Sequence, residues 1–227
     1  QNSRIIASAF NLTTGLQQKI MDRYAPKNIQ VQHDIVYATQ PNLSFDLYQD
    51  SQLQDLAARP TIVWIHGGGW IAGSKAHARG YFKLLAEQGF NVIAVQYQFA
   101  PHATYPTQLQ QIDQALNYIT QHAKKYQLNP QQLYLAGDSA GANLASHYAA
   151  LLSNPAFAQQ SNLQLTIQNK QLKGLILHCG IYDLKAFVET APDEMNIVEW
   201  GVYNLVQAYT GDRKQDSEFL KNISPIH

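Results

Sequence analysis

The chain has 227 residues, of which 45% are apolar and 14% are charged, and its sixteen basic residues balance sixteen acidic ones. This length favours a single domain with one sizeable hydrophobic core. Because the net charge is zero and no run of Lys or Arg occurs, the sequence offers nothing that could follow a nucleic-acid backbone or an anionic membrane surface.

Short apolar runs alternate with longer helical patterns, which predicts β-α-β units and an α/β fold with a mainly parallel sheet. Residues 35–39 and 44–48 are predicted to form an opening antiparallel pair of strands, with Pro41 and Asn42 in the turn. Four near-continuous apolar runs predict later strands that helices cover on both faces: 61–65, 91–97, 132–136 and 172–177.

Helices are predicted between and after these strands. Beyond Pro106, apolar residues recur at steps of three and four and form a stripe that packs on the sheet: Leu109, Ile112, Leu116, Ile119, Ala123 and Tyr126. Small residues after Ser139 predict a second helix. Region 185–221, with an amphipathic stretch at 197–209, is predicted to form a small cap or helices that cover the sheet. No repeat or linker divides the chain, so residues 1–227 are predicted to form one domain.

The cysteine count and the lengths of the apolar runs exclude further classes of protein. Cys179 is the one cysteine of the chain, which excludes an intramolecular disulfide and a cysteine-based zinc cluster, and its apolar neighbours predict a buried, inert thiol. The apolar runs have the length of strands, so no membrane span is predicted. The first ten residues lack the features of a signal peptide, and both a cytoplasmic location and export after signal removal stay open.

A possible nucleophile lies in the pentad 137–141, Gly-Asp-Ser-Ala-Gly, which fits the pattern G-x-S-x-G. A predicted strand runs into this pentad and a helix of small residues runs out of it. Glycines on both sides allow a tight, strained turn that lifts the serine oxygen clear of the backbone. Ser139 is therefore the predicted nucleophile, and an ordinary Gly-rich turn is the alternative.

A glycine-rich loop follows the predicted strand 61–65, with the sequence His-Gly-Gly-Gly-Trp at 66–70. Backbone amides in such a loop can stabilise the negative charge that develops on a carbonyl oxygen during acyl transfer. The predicted donors are the amides of Gly67 or Gly68, Gly69 and Ala140. His66 is interpreted as an anchor of the loop. Asp138 and Trp70 are expected to border the substrate, with packing as the alternative for the Trp70 ring.

The HGGGW and GDSAG motifs, with YQFAP at 97–101 and GIYDL at 180–184, resemble the esterase/lipase group of α/β hydrolases. That group includes hormone-sensitive-lipase-like carboxylesterases and is related to arylformamidase-like enzymes. The resemblance covers residues 45–225. It implies an α/β-hydrolase fold with helices on both faces of the sheet. It also implies hydrolysis of small acyl esters through an acyl-serine, without metal or organic cofactor, with a formamide or amide substrate as the less favoured choice.

The remaining members of a catalytic triad are harder to assign. In this fold the order is serine, acid, histidine, so both partners should follow Ser139. His147 lies two helical turns along the predicted helix, about 12 Å away at 1.5 Å per residue, which is too far to accept the serine proton. His178 ends a predicted strand. Asp183 and the terminal His227 could form a rebuilt triad with Ser139.

The resemblance also implies two further β-α units after Ser224-Pro225, whose strand ends would carry the acid and the histidine. We therefore expect a sheet that lacks its C-terminal strands, little steady-state turnover, and an exposed edge that favours a homo-oligomer. A non-catalytic protein that retains the hydrolase fold is the main alternative. A dinucleotide-binding site is a weaker one, because residues 67–72 fit G-x-G-x-x-A and Glu87 lies at the expected offset, but Gly73 and Ser74 interrupt the required helix.

Overall fold

A six-stranded, mostly parallel sheet runs through the molecule, whose computed structural model describes residues 2–189 and 193–227. In chain order the strands are β1 (Ile29–Val36), β2 (Ser44–Asp50), β3 (Thr61–Ile65), β4 (Asn91–Val95), β5 (Leu133–Asp138) and β6 (Leu172–His178). Their spatial order is β1-β2-β4-β3-β5-β6. The pairs β1–β2 and β2–β4 are antiparallel and the other pairs are parallel, which confirms the predicted α/β class.

The strands follow the apolar runs closely, with one exception at the start of the sheet. The predicted bounds 61–65 agree with β3, in which every residue is buried. The prediction of a first strand at 35–39 is wrong, because β1 begins at Ile29 and ends at Val36. A register shift between Gln32 and Ile35 interrupts the pairing with β2, and such a bulge breaks the alternation of apolar and polar residues that identifies a strand.

Helices cover both faces of the sheet. Within the described residues they are α1 (Asn2–Tyr24), α2 (Arg79–Glu87), α3 (Thr107–Gln121), α4 (Ala140–Ser153), α5 (Pro155–Gln160), α6 (Ala186–Glu189), α7 (Ile197–Thr210) and α8 (Ser217–Asn222). None of these helices is both long and apolar enough to cross a bilayer. The predicted stripe of α3 is buried along its whole length, and α2 packs on the opposite face around Trp64 and Phe82.

The predicted cap region 185–221 contains α6, α7 and α8, and its residues 190–192 lie outside the described part of the chain. Near the end of α7, Tyr209 stacks on Trp70 of the glycine-rich loop with ring centroids 4.6 Å apart. Helix α1, which the sequence pattern did not predict, packs against α2 and α7. Both α1 and α7 therefore lie over the end of the sheet where the parallel strands finish.

Strand β6 forms one edge of the sheet, and no strand among residues 2–189 and 193–227 pairs with its outer side. The prediction that helices cover this strand on both faces is wrong, since Leu175 is 39% exposed. Cys179 directly follows β6 and is exposed, so the prediction of a buried thiol is also wrong. The apolar run at 172–177 identified the strand correctly, but the run itself does not specify what covers it.

Candidate active site

Ser139 occupies a strained turn between β5 and α4. Its backbone angles are φ 52° and ψ −118°, and a side chain held at such positive φ costs about 1–3 kcal/mol. The Ser139 amide donates a hydrogen bond to the carbonyl oxygen of His178 at 2.8 Å. A Cβ atom on Gly141 would overlap the Ile65 carbonyl oxygen, and one on Gly137 would lie 2.5 Å from the Gly141 carbonyl carbon. The predicted strand-to-helix turn is confirmed, and it needs both glycines.

Three amides near this turn are available to a ligand. The amides of Gly68, Gly69 and Ala140 make no hydrogen bond within the part of the chain that the structure describes. Gly68 and Gly69 have φ values of 121° and 58°, which are conformations that favour glycine. The Ala140 amide is in the first turn of α4, where helical amides lack an intrahelical acceptor. These amides therefore remain the predicted donors to an oxyanion.

Gly67 does not belong to this set. Its amide donates to the Asp138 carboxylate, with 3.1 Å between the nitrogen and Oδ1. A donor that already has a charged acceptor is not free to bind a developing oxyanion. The expectation that named Gly67 as a possible donor is therefore corrected in favour of Gly68.

The Asp138 side chain joins the nucleophile turn to the glycine-rich loop. Besides the Gly67 amide, its Oδ1 atom accepts a hydrogen bond from Trp64 Nε1 at 3.2 Å. Its Oδ2 atom lies 3.6 Å from His77 Nε2. The side chain is 27% exposed, so contact with a substrate stays a prediction. The link between the two motifs was not predicted, because it joins residues 71 positions apart.

Trp70 packs inside the protein. Its side chain has no exposed surface and lies nearly parallel to the Tyr209 ring, at an interplanar angle of 8°. The φ angle of Trp70 is 61°, and the ring lies under α7. The expectation that Trp70 borders the substrate is therefore wrong, and the alternative of packing is confirmed.

His66 fixes the start of the glycine-rich loop. The ring is buried and stacks on Tyr97 with a centroid distance of 4.4 Å. Burial lowers the pKa of His66 to about 3, so the ring is neutral. Nδ1 therefore donates to the Gly67 carbonyl oxygen, 2.7 Å away. These contacts confirm the interpretation of His66 as a loop anchor.

The histidines after Ser139 do not contact its hydroxyl. Ser139 Oγ makes no side-chain hydrogen bond within residues 2–189 and 193–227. His147 lies on α4 between the rings of Tyr105 and Phe157, where burial lowers its pKa to about 4. His178 is exposed, and its ring packs edge-on against Trp64.

His227 and Asp183 do come together, with 3.9 Å between Nε2 and Oδ1. The cavity that His227 lines follows the middle and end of α4 and does not include Ser139. The acid and base of the rebuilt triad therefore meet each other, but the structure does not bring the nucleophile to them.

A cavity of about 540 Å³ opens beside the nucleophile turn. Asp138 and His178 line it from the sheet, His77 from the loop before α2, and Ile20 from α1. His77 precedes Ser139 in the chain, so the expected order of triad residues gave no reason to consider it. The structure nevertheless places its ring beside the residue that precedes the nucleophile.

The loop geometry excludes the dinucleotide-binding alternative. A helix should start at the third glycine of such a motif, but turns follow Gly69 and α2 begins only at Arg79. Glu87 is exposed at the end of α2 instead of following a strand.

The chain is similar in sequence to a known family and to curated proteins. The BD-FAE family matches residues 45–227. An isoprenylcysteine alpha-carbonyl methylesterase of Arabidopsis thaliana is 30% identical over 158 residues, which are 70% of this chain and 33% of the relative. An acetyl esterase of Salmonella typhi is 38% identical over 89 residues, which are 39% of this chain and 28% of the relative. The chain thus spans about a third of these curated relatives or less.

Solved structures show the same fold. Esterase B from Lactobacillus rhamnosis superposes with a TM-score of 0.81 at 20% identity, covering 98% of this chain and 70% of that one. An esterase from Pyrobaculum calidifontis superposes with a TM-score of 0.72 at 19% identity, covering 100% of this chain and 70% of that one. The α/β-hydrolase fold predicted from the two glycine motifs is confirmed.

Proposed function

Because the chain belongs to the BD-FAE family, we propose that it is a carboxylic-ester hydrolase in which Ser139 is the nucleophile. One observation carries the proposal: a non-glycine residue is held at φ 52° beside three amides that have no acceptor among residues 2–189 and 193–227. Strain of this kind is typical of the nucleophile turn in α/β hydrolases. The acetyl esterase and methylesterase relatives support esters with a small acyl or alkyl group as substrates.

In the proposed reaction, Ser139 Oγ forms a bond to the ester carbonyl carbon and the carbonyl electron pair moves onto oxygen. The amides of Gly68, Gly69 and Ala140 donate to that oxyanion, which stabilises the transition state without reorganisation. The intermediate then expels the alkoxide, the serine proton ends on the leaving alcohol, and an acyl-serine remains. Water attacks the acyl-serine in the second half of the reaction and releases the acid.

A hydrolase-fold protein without turnover is the second candidate. The observation that favours it is Ser139 Oγ itself, which has no hydrogen-bonded base within the described residues. A serine hydroxyl without a base is a weak nucleophile at neutral pH. Substrate binding and the oxyanion amides alone can still make the reaction roughly 10³ to 10⁴ times faster than the uncatalysed one.

Two measurements on the same preparation distinguish these candidates. Intact mass after treatment with a fluorophosphonate reports whether Ser139 reacts, and hydrolysis of p-nitrophenyl acetate reports turnover. The esterase proposal predicts one adduct and turnover, both absent from Ser139→Ala. Absence of turnover, with or without an adduct, supports the second candidate. An adduct or activity that survives in Ser139→Ala refutes the assignment of the nucleophile.

A further inference from the structure

The outer side of α1 carries a continuous apolar surface, here called the α1 stripe, formed by Ile5, Leu12, Leu16 and Ile20. Steps of seven and four residues place these side chains on one face of a helix. Their exposed fractions are 66%, 78%, 64% and 52%. Single exposed apolar residues are ordinary on a protein surface, but a contiguous row marks an interaction site.

The charges on this side of α1 have one sign. Lys19 and Arg23 are exposed, and by helical spacing they lie beside Leu12 and Leu16. The one acidic residue of the helix is Asp22, whose carboxylate pairs with Arg79 of α2. The side chain of Arg79 holds the pKa of Asp22 below its ordinary value. Of the charged residues that α1 itself contributes, cations and no unpaired carboxylate therefore border the stripe.

Contacts on the inner side of α1 keep the stripe facing outward. Asn11 Oδ1 accepts a hydrogen bond from the Gly73 amide at 3.3 Å. Gln18 Nε2 donates to the Ala76 carbonyl oxygen at 2.7 Å. Gly73 and Ala76 both belong to the segment between the glycine-rich loop and α2. Turning the stripe inward would break these contacts, so α1 keeps the stripe turned away from the described part of the chain.

We infer that the α1 stripe lies in the interface of an anionic lipid membrane. An amphipathic helix with an apolar face and neighbouring Lys or Arg residues binds such surfaces by burying the apolar face while its cations contact the headgroups. No Lys/Arg run is needed, because helix formation alone brings Lys19 and Arg23 to the same side. The inference goes beyond the proposed esterase activity, since binding to a membrane requires no reaction at Ser139.

A second copy of the chain fits this surface less well. In a two-fold interface the same patch faces itself. Parallel helices would place Lys19 and Arg23 opposite their own copies, and antiparallel helices would place them opposite Arg4. Each arrangement opposes like charges across an apolar contact, which is unfavourable.

Docking of this kind would bring lipid close to the candidate active site. Ile20 belongs to the α1 stripe and also lines the cavity beside the nucleophile turn, together with Met21, which is 37% exposed. The apolar surface therefore continues from the proposed membrane contact to the cavity that Asp138 lines. Ile20 is thus shared by the proposed membrane contact and the cavity.

The test is co-sedimentation with vesicles of equimolar phosphatidylcholine and phosphatidylglycerol, compared with vesicles of phosphatidylcholine alone. We expect the unaltered chain to bind the anionic vesicles preferentially. Leu12→Gln/Leu16→Gln should weaken binding about a hundred-fold, since two leucine side chains leave the bilayer. Lys19→Gln/Arg23→Gln should weaken it about 25-fold, at about five-fold for each cation.

Matched controls replace exposed apolar residues and exposed lysines that lie outside α1. Val36→Gln/Ile226→Gln replaces two residues that are 62% and 65% exposed, and Lys124→Gln/Lys170→Gln replaces two exposed lysines. Both should bind like the unaltered chain, as should Ser139→Ala. Whether Ser139→Ala reacts with the fluorophosphonate tests the esterase proposal and does not test the membrane inference.

Three outcomes would overturn the membrane inference. These are absence of binding to anionic vesicles, equal binding by the stripe variant and its control, and a dimer in light scattering that Leu12→Gln/Leu16→Gln dissociates. The last result would show that a second copy covers the stripe. The substituted side chains are exposed, and unchanged thermal unfolding of each variant verifies that only the surface was altered.

Discussion

Replacing Asp138 with alanine removes the carboxylate that joins the nucleophile turn to the glycine-rich loop. Two donors, Trp64 Nε1 and the Gly67 amide, lose their acceptor. A hydrogen bond to a charged group contributes about 1.5–3 kcal/mol. Because the Asp138 side chain is 27% exposed, water can replace part of each bond, so we expect a loss of about 2–4 kcal/mol in the free energy of unfolding.

The same substitution should slow the reaction of Ser139. The Gly67 amide fixes the start of the segment that carries the free amides of Gly68 and Gly69, and the loss of one aligned oxyanion donor lowers the rate roughly 10²- to 10³-fold. Equilibrium unfolding in urea measures the first effect, and the rate of fluorophosphonate labelling measures the second. Asp138→Asn keeps an oxygen acceptor and should lie between alanine and the native residue in both.

Asp216→Ala is the matched control. The Asp216 side chain accepts a hydrogen bond from the Phe219 amide at the start of α8, and loss of such a cap costs about 0.5–2 kcal/mol. It should lower stability without changing the labelling rate. The linking role of Asp138 is refuted if the free energy of unfolding of Asp138→Ala lies within about 0.5 kcal/mol of that of the unaltered chain. It is also refuted if Asp138→Ala is labelled by the fluorophosphonate at the same rate.

Three further predictions concern buried and exposed groups. Burial keeps the His147 ring neutral by lowering its pKa to about 4, so its contribution to stability is complete above about pH 6.5 and falls by about 2 kcal/mol at about pH 5. His147→Phe removes two ring nitrogens that have no hydrogen-bond partner in the described part of the chain. It should flatten this dependence in urea unfolding, and an unchanged slope contradicts the assignment. Gly141→Ala should destabilise the fold by more than about 3 kcal/mol, because its Cβ would overlap the Ile65 carbonyl oxygen; a native-like free energy of unfolding would show that the turn can relax. Exposed Cys179 should react with a disulfide reagent in the native state, and protection until unfolding would refute its exposure.

Local patterns predicted the elements that local physics determines. The buried run of β3 and the turn at Ser139 follow from residues adjacent in sequence, as does the apolar stripe of α3. Long-range contacts were beyond such patterns. The loss of Gly67 as an oxyanion donor depends on a carboxylate 71 residues away, and the burial of Trp70 depends on Tyr209 in α7.

Helix α1 shows a different limit of sequence patterns. Its polar residues Asn11 and Gln18 face the protein and hold backbone groups, while the α1 stripe faces outward. A helix usually places its apolar side against the core. The inner side of α1 is apolar as well, since Ile6, Ala7 and Phe10 pack against the cluster formed by Ile71, Ala72 and Ala100. Because α1 has apolar residues on two sides, periodicity alone does not specify which side is buried.

The strained turn at Ser139 places stability and reactivity in opposition at a single position. Glycine is the residue that tolerates φ 52° without steric cost, so Ser139→Gly would relieve strain while it removes the nucleophile. A library of variants selected for heat resistance alone should therefore enrich glycine at position 139 and lose reactivity in the same step. Substitutions meant to raise thermal stability without loss of reactivity should therefore be made at the exposed edge of β6 and not at the strained turn.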